Sequence, residues 1–505
     1  MENQTSHPSG LMCELMEHPK NTSITNKYPS FSWIVNDEKK NSIQTAYQII
    51  VASNPDLISE NKGDMWDTGQ VESSESINIK YNGHPLQSHK YYYWKVKTWN
   101  HESVASDYSK VQKFYTGELS HEYKTAVYTL EKSRISPVNI VEKGKGHYFV
   151  DFGKDAFGTV ELILESTINT DIVLHLGEMA NEDFTVNRNP GGTIRYREIK
   201  LPVKKGKHTY QVEIPPDKRN TGPKAIKMPP EVGEVLPFRY CEIAGTPGKI
   251  TPHNISQIAV NYPFNEDASH FESSNETLNA VWDICKYSIK ATSFCGVYID
   301  GDRERIPYEA DAYINQLGHY CVDREFTLAR QSHEYLIYNP TWPTEWFLHS
   351  VLMAWADYMY TGNTRSLEYF YTDLKAKTLI ALEREDGLIS TRTGLVTDEV
   401  LKSLHFDGNI RDIVDWPPGS FTKSGEVGEQ DGYVFTDINT VVNSFHYMTL
   451  NLASRMASVL GKNEDESLLF QKSELVKESI NEKLLDKDKG IYIDGEGTDH
   501  SALHA

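Results

Sequence analysis

The stretch YIDGDRERIPYEAD, residues 298–311, places five carboxylates and two arginines in fourteen positions. Like charges this close raise one another's cost of ionisation. The spacing therefore predicts that one acid keeps its proton near neutral pH while the arginines hold others ionised. One proton donor among anions suits protonation of a leaving oxygen and stabilisation of an oxocarbenium-like charge, which is the chemistry of glycosidic cleavage. If residues 300–304 are extended, Asp300, Asp302 and Glu304 project from one face while Arg303 and Arg305 project from the other. Asp311 falls in the first turn of a following helix, where the macrodipole favours a carboxylate, and Tyr308 adds a ring with a polar tip. On residue types alone, a surface salt-bridge network or a helix cap accounts for the cluster equally well. Calcium fits less, because neither an EF-hand glycine nor a glutamate at the twelfth position accompanies the D-x-D spacing. Trp342, Trp346, Trp355 and Trp416 follow. Trp355 sits mid-helix and reads as core. Trp342 and Trp416 lie beside prolines and suit stacking on sugar C–H faces, although packing accounts for either ring alone at least as well.

The elements that must hold these residues divide into three parts. At 505 residues the chain exceeds what one core organises. Residues 1–118 contain short aromatic and β-branched runs (FSWIV, TAYQIIVAS, YYYWKVKTWN, KVQKFYTG) separated by turn residues, the pattern of a small β-sandwich. Trp33, Tyr47, Trp94 and Trp99 read as its aromatic core rather than a sugar platform. Residues 119–268 continue as a second β-domain. Its NRNPGGTIRYRE segment carries three arginines beside a Pro-Gly-Gly turn, fitting either an exposed hairpin tip or a ligand contact. From residue 269 the texture becomes helical. Ser273 and Glu276 have capping-box spacing, and Leu278, Val281, Trp282, Cys285 and Ile289 recur at helical intervals. Further helices are predicted near 310–337, 345–361, 366–384, 438–460 and 465–485, six in all. The excursion 386–436 is too long for a mere connection and is suspected of function.

The net charge of −20 repels phosphate backbones and anionic lipid, so nucleic acid and membrane are disfavoured as partners. No apolar run approaches the ~20 residues a membrane span needs. The five cysteines are odd in number, show no C-x-x-C pair and read as buried thiols, and neither metal nor cofactor is called for. The N-terminus lacks a basic segment followed by an apolar one. That is cytoplasmic as written, and periplasmic or extracellular if a leader has been removed.

PSFSWIV, QTAYQIIVAS, WDTGQV and YYWKVKTW in the first part, GGTIRYRE and FRYCEIAG in the second, and DGDRERIPYEAD, WFLHSVLMAWADYMYTGN, VDWPP and DGEGTDHSALHA in the third form a specific set. With them the chain resembles the bacterial α-L-rhamnosidases of glycoside hydrolase family 78. The resemblance implies β-sandwich domains before an (α/α)6 barrel, and inverting hydrolysis of terminal α-L-rhamnose from an oligosaccharide or glycoside. It makes Glu304 the general acid. Asp300 or Asp302, Arg305, Tyr308, Asp311, Trp342 and Trp416 then bind substrate, with Tyr308 standing where the family usually has tryptophan. Glu309 and Ala310 also depart from the small residue and glycine common before the aspartate. The resemblance places the general base downstream of HSALHA, and six helices are half of the twelve a barrel needs. The expectation is a truncated barrel that binds rhamnosides weakly and hydrolyses none. Another (α/α)6 glycosidase, a phosphorylase and a non-catalytic carbohydrate-binding protein remain the alternatives.

Overall fold

A computed structural model describes residues 7–37, 39–414 and 433–501. Contacts divide the chain into two units, one of 1–127, 308–320 and 325–505, the other of 128–307 and 321–324. In the first unit the N-terminal strands build a six-stranded sheet around Gln44–Ala52 and Tyr91–Asn100, and a three-stranded sheet around Ser30–Ile34. Alternation along these strands sends every second side chain inward. Phe31 packs 4.4 Å from Trp94, and Trp33 meets Tyr47 edge-on at 5.3 Å. Trp33, Tyr47 and Trp94 are core, as the sequence indicates. Trp99 is only half-buried, and Lys97 lies 4.8 Å from its ring centre.

The second unit is organised by one long strand, His147–Ser166. Its register with Leu236–Ala244 shifts between Asp151 and Ala156, and beyond that bend it also pairs with Ile255–Asn261 and Gly206–Gln211. Val150, Leu162, Leu174, Phe238 and Ile243 fill the core. Helix α1, Glu276–Thr292, belongs to this unit, whereas the sequence places the boundary at 268. Two contacts account for the difference. Tyr287 donates to the Asp155 carbonyl, and Phe294 stacks on Phe157 at 3.8 Å. Asn275, not Ser273, caps the helix, accepting from the Thr277 and Leu278 amides. The helical spacing does not mark a buried face: Leu278 and Val281 are each at least half exposed, Cys285 is exposed, and α1 has no buried residue.

Among the described residues seven further helices follow: α2 (Glu309–Val322), α3 (Thr327–Tyr338), α4 (Thr344–Thr361), α5 (Arg365–Lys377), α6 (Asp398–Ser403), α7 (Thr440–Val459) and α8 (Asn463–Lys483). The single helix expected over 310–337 is two. The buried Glu325 carboxylate accepts from the Thr327 amide at 2.7 Å and the Leu328 amide at 2.9 Å, starting a new N-terminus. Helix α5 stops at Lys377 because Leu379 turns left-handed, at φ 61°. Thr397 caps α6 inside the long excursion. Ile337, Val351, Phe370, Leu450, Met456 and Val476 share one core. Within this unit the helices are tied to the N-terminal sandwich. Asn78 donates to the Thr361 carbonyl at 2.8 Å, Asn363 donates to Asn78 at 2.9 Å, and Arg365 pairs with Glu14 at 2.8 Å. Gly362 ends α4 at φ 61°, and a side chain there would meet the Ile77 methyl at 2.6 Å.

Cys13, Cys241 and Cys295 are buried, but Cys285 and Cys321 are exposed, against the expectation for all five. Both lie on the bare sides of α1 and α2, where hydrophobic content alone does not reveal which face is covered. Among the described residues no helix is long and apolar enough to cross a membrane, and no cluster of His, Cys, Asp and Glu is spaced to hold a metal ion.

Candidate active site

The acidic loop leaves α1 through the short 3-10 turn Ser293–Cys295 and does not run extended. Residues 302–304 form a turn, closed by the Asp300 amide donating to the Ile306 carbonyl at 3.1 Å. Arg305 sits at φ 56°, a left-handed conformation uncommon for a non-glycine residue. The acids and arginines therefore do not segregate to opposite faces. They pair.

Asp302, its side chain 8% exposed, accepts from Arg195 at 2.5 Å, from Asn220 at 2.9 Å and from Arg305 at 2.9 Å. Arg305 is buried and also donates to Glu234 at 2.5 Å and to the Val235 carbonyl at 3.0 Å. A buried charge is tolerated only with partners of this kind. Asp300 is nearly as buried and lies 3.3 Å from Arg303. Glu304 is the loop acid with the most exposed side chain, at 39%, and lies 3.6 Å from the same guanidinium. The loop thus presents one accessible carboxylate above the buried, paired charges of Asp302 and Arg305.

Two further carboxylates of this unit went unnoticed in the sequence. Burial, and then the neighbouring Glu178, push the Asp155 carboxyl up to about 7. One Asp155 oxygen is buried without a hydrogen-bond partner among the described residues. Burial also raises Glu178, which feels Asp302 and accepts from the Arg195 amide. Asp151, four residues before Asp155, is held low instead, because Arg239 donates to both of its oxygens at 2.8 Å. The strand bend separates their fates. In the sequence Asp155 shows only as a polar residue within a largely buried strand, and Glu178 as an acid just past the end of the next one, Thr170–Gly177.

The folded-state value of Asp155 lies above its ordinary 3.8, so the unfolded chain ionises first. Its contribution to stability falls as pH rises from about 4 to about 7 and is fully lost above that. Asp155→Asn is expected to remove this decline and to raise stability at pH 8 by on the order of 2 kcal/mol after discounting its partial solvent contact. Parallel melting curves of the two proteins across pH 4–8 check it. Curves that keep a constant offset would refute the assignment.

In the first unit the remaining candidates cluster around the start of α2. Tyr308 meets Trp346 edge-on at 5.2 Å. The next residue, Glu309, is fully buried and accepts from the Thr341 amide at 3.0 Å and from its hydroxyl. Burial raises Glu309 and lowers the equally buried Lys377 to about 8, each offsetting part of the other's cost. This junction holds Tyr308 and Trp342 at neighbouring positions of two joined segments. Trp342 is half-buried, with Arg411 4.6 Å from its ring centre. Asp311 is half-exposed in the first turn of α2, and its carbonyl accepts from Asn315 at 2.9 Å. Trp416 lies outside the described residues. The structure therefore gathers Asp300, Asp302, Glu304 and Arg305 in one unit, and Tyr308, Asp311 and Trp342 in the other.

Residues 266–504 match the family model described as the bacterial alpha-L-rhamnosidase 6 hairpin glycosidase domain, and residues 8–120 match the Rha78A-like N-terminal immunoglobulin domain. A curated α-L-rhamnosidase of Formosa agariphila is 41% identical over 97 residues, 19% of this chain and 10% of that protein. The chain thus matches about a tenth of that relative's length. The solved α-L-rhamnosidase from Dictyoglumus thermophilum aligns with TM-score 0.68 and 16% identity, covering 96% of this chain and 74% of that one. The Streptomyces avermitilis α-L-rhamnosidase, solved with L-rhamnose, aligns with TM-score 0.68 and 11% identity, covering 95% and 78%. At such identities these two structures speak for the fold, β-sheet domains followed by a helical domain.

Proposed function

Through residues 266–504 the chain belongs to the bacterial α-L-rhamnosidases of glycoside hydrolase family 78, and from that premise we propose that it acts on terminal α-L-rhamnose of oligosaccharides or glycosides by inverting hydrolysis. Glu304 donates the proton to the leaving oxygen. What supports this role is its standing as the most exposed acid of a loop in which the side chains of Asp300, Asp302 and Arg305 are buried. A donor must reach substrate while its backbone stays fixed, and the Asp302–Arg195–Arg305 network fixes it. Asp300, Asp311 and the rings of Tyr308, Trp342 and Trp416 are proposed to bind the sugar, the rings by stacking. Asp302 and Arg305 act through the loop they anchor. An inverting enzyme also needs a carboxylate about 6.5–9.5 Å from the acid to activate water.

Inversion is read directly from the product. Proton NMR of the intact protein with an aryl α-L-rhamnoside is expected to show β-L-rhamnose first, with the α-anomer appearing only by mutarotation. Immediate α-rhamnose would exclude inversion. A rhamnosyl phosphate formed in phosphate buffer would identify a phosphorylase.

A further inference from the structure

Far along the sequence from the acidic loop, the first unit contains a cleft of about 410 Å³ whose chemistry differs from that of the molecule as a whole. One wall is the N-terminal sandwich, with Asn26, Lys27, Tyr28, Asn78, Lys80 and His121, and the other is the turn between α4 and α5. The size suits one or two sugar rings, within the ~300–1,000 Å³ of ordinary ligand sites. Its floor is preformed. Asn26 donates to the Tyr28 carbonyl at 2.9 Å, Asn78 and Asn363 are hydrogen-bonded across the two walls, and Arg365 is spent on Glu14.

What remains is cationic. Among the described residues Lys27, Lys80 and His121 have no carboxylate partner, although the chain carries a net charge of −20. Glu368 is the acid at the rim, and it accepts from Thr364 at 2.6 Å. In a protein this acidic, two lysines without a carboxylate partner on one wall form a local positive potential that attracts anions. Tyr28, nearly half exposed, adds an open ring with Lys80 5.3 Å from its centre. A carboxylate for the lysines and a C–H face for the tyrosine describe a sugar acid.

We propose that this cleft binds a uronic acid residue of an acidic oligosaccharide, with Lys27 and Lys80 holding its carboxylate and Tyr28 stacking on its ring. The choice of a sugar over other anions rests on the glycosidase reading above. The attraction for anions does not.

The test uses the intact protein and a rhamnose-free oligogalacturonate in equilibrium titration, with the neutral oligogalactoside and inorganic phosphate as comparisons. The acidic oligomer is expected to bind, and to weaken as salt rises from 50 to 300 mM, roughly the range in which the Debye length falls from about 14 to about 6 Å. The neutral oligomer and phosphate are each expected to bind at least about tenfold more weakly, and Lys27→Ala with Lys80→Ala to cost about tenfold. Both lysines lie at the cleft surface, and an unchanged melting temperature shows that the double variant folds. Equal binding by that variant, or no binding by the parent, overturns the proposal. Phosphate binding as tight as the oligomer's also overturns it, leaving a simple anion site. Because the probe lacks rhamnose, loss of the rhamnosidase reading would leave this result unchanged, and the reverse also holds.

Discussion

Replacing Glu304 with glutamine is expected to lower kcat on an aryl α-L-rhamnoside by about 10²- to 10⁴-fold, the range that a positioned general acid contributes. Glutamine keeps the shape and the hydrogen-bonding reach of the side chain, and no buried charge is left unpaired. Arg303 retains Asp300 at 3.3 Å. Melting temperature and KM should therefore move little. The diagnostic lies in the leaving group. A good leaving group such as nitrophenolate needs little protonation, whereas an alkyl alkoxide needs it fully, so the loss should grow as the leaving group becomes more basic. A role confined to loop structure would depress all substrates alike. Equal losses across the series, or full activity in the variant, would remove Glu304 from the mechanism.

The largest effect on stability is expected at Asp357. Its carboxylate lies within 3.1 Å of Arg330 Nε at both oxygens and 2.7 Å from Nη2. Both residues are almost fully buried, Arg330 at 4% and Asp357 at 1% exposure. Two further guanidinium protons go to Asn363 at 3.0 Å and Thr361 at 3.2 Å. Asp357→Ala strands a guanidinium that cannot shed its charge, and about 3–5 kcal/mol of stability should be lost. Replacing the pair together, Arg330→Met with Asp357→Leu, should return most of it, since well-packed apolar groups often match a buried ion pair. Denaturant midpoints of the three proteins measure this. A single variant losing under about 1 kcal/mol would mean that water reaches the arginine in the native state. Asn363 also bonds to Asn78, so the single variant should weaken the grip of the helices on the N-terminal sandwich as well.

Local patterns in the chain were readable, and long-range partners were not. Two-residue alternation around Trp94 and the three-to-four periodicity ended by Gly362 report a strand and a helix stop, because each depends on neighbours within a few positions. The split between α2 and α3 was missed because Glu325, an ordinary acid in composition, becomes a cap only once its carboxylate turns back onto the Thr327 amide. Ser273 and Asn275 are both good caps, and spacing alone chose the wrong one. The acidic loop illustrates the limit most sharply. Its residues announce chemistry, but the partners that set their geometry lie at Arg195, Asn220 and Glu234, in segments that the fold alone brings alongside. Neither the left-handed Arg305 nor the elevated Asp155 follows from residue type, since both depend on what the sheet strands bury.

The sandwich-to-helix seam at Asn78, Thr361, Asn363 and the Glu14–Arg365 pair also bears on how such chains can be recombined. An immunoglobulin-like module hung on a flexible tether can be exchanged between proteins as a cassette. This one shares hydrogen bonds with the corner between two helices, so a chimera that imports a foreign sandwich must import a matching corner with it.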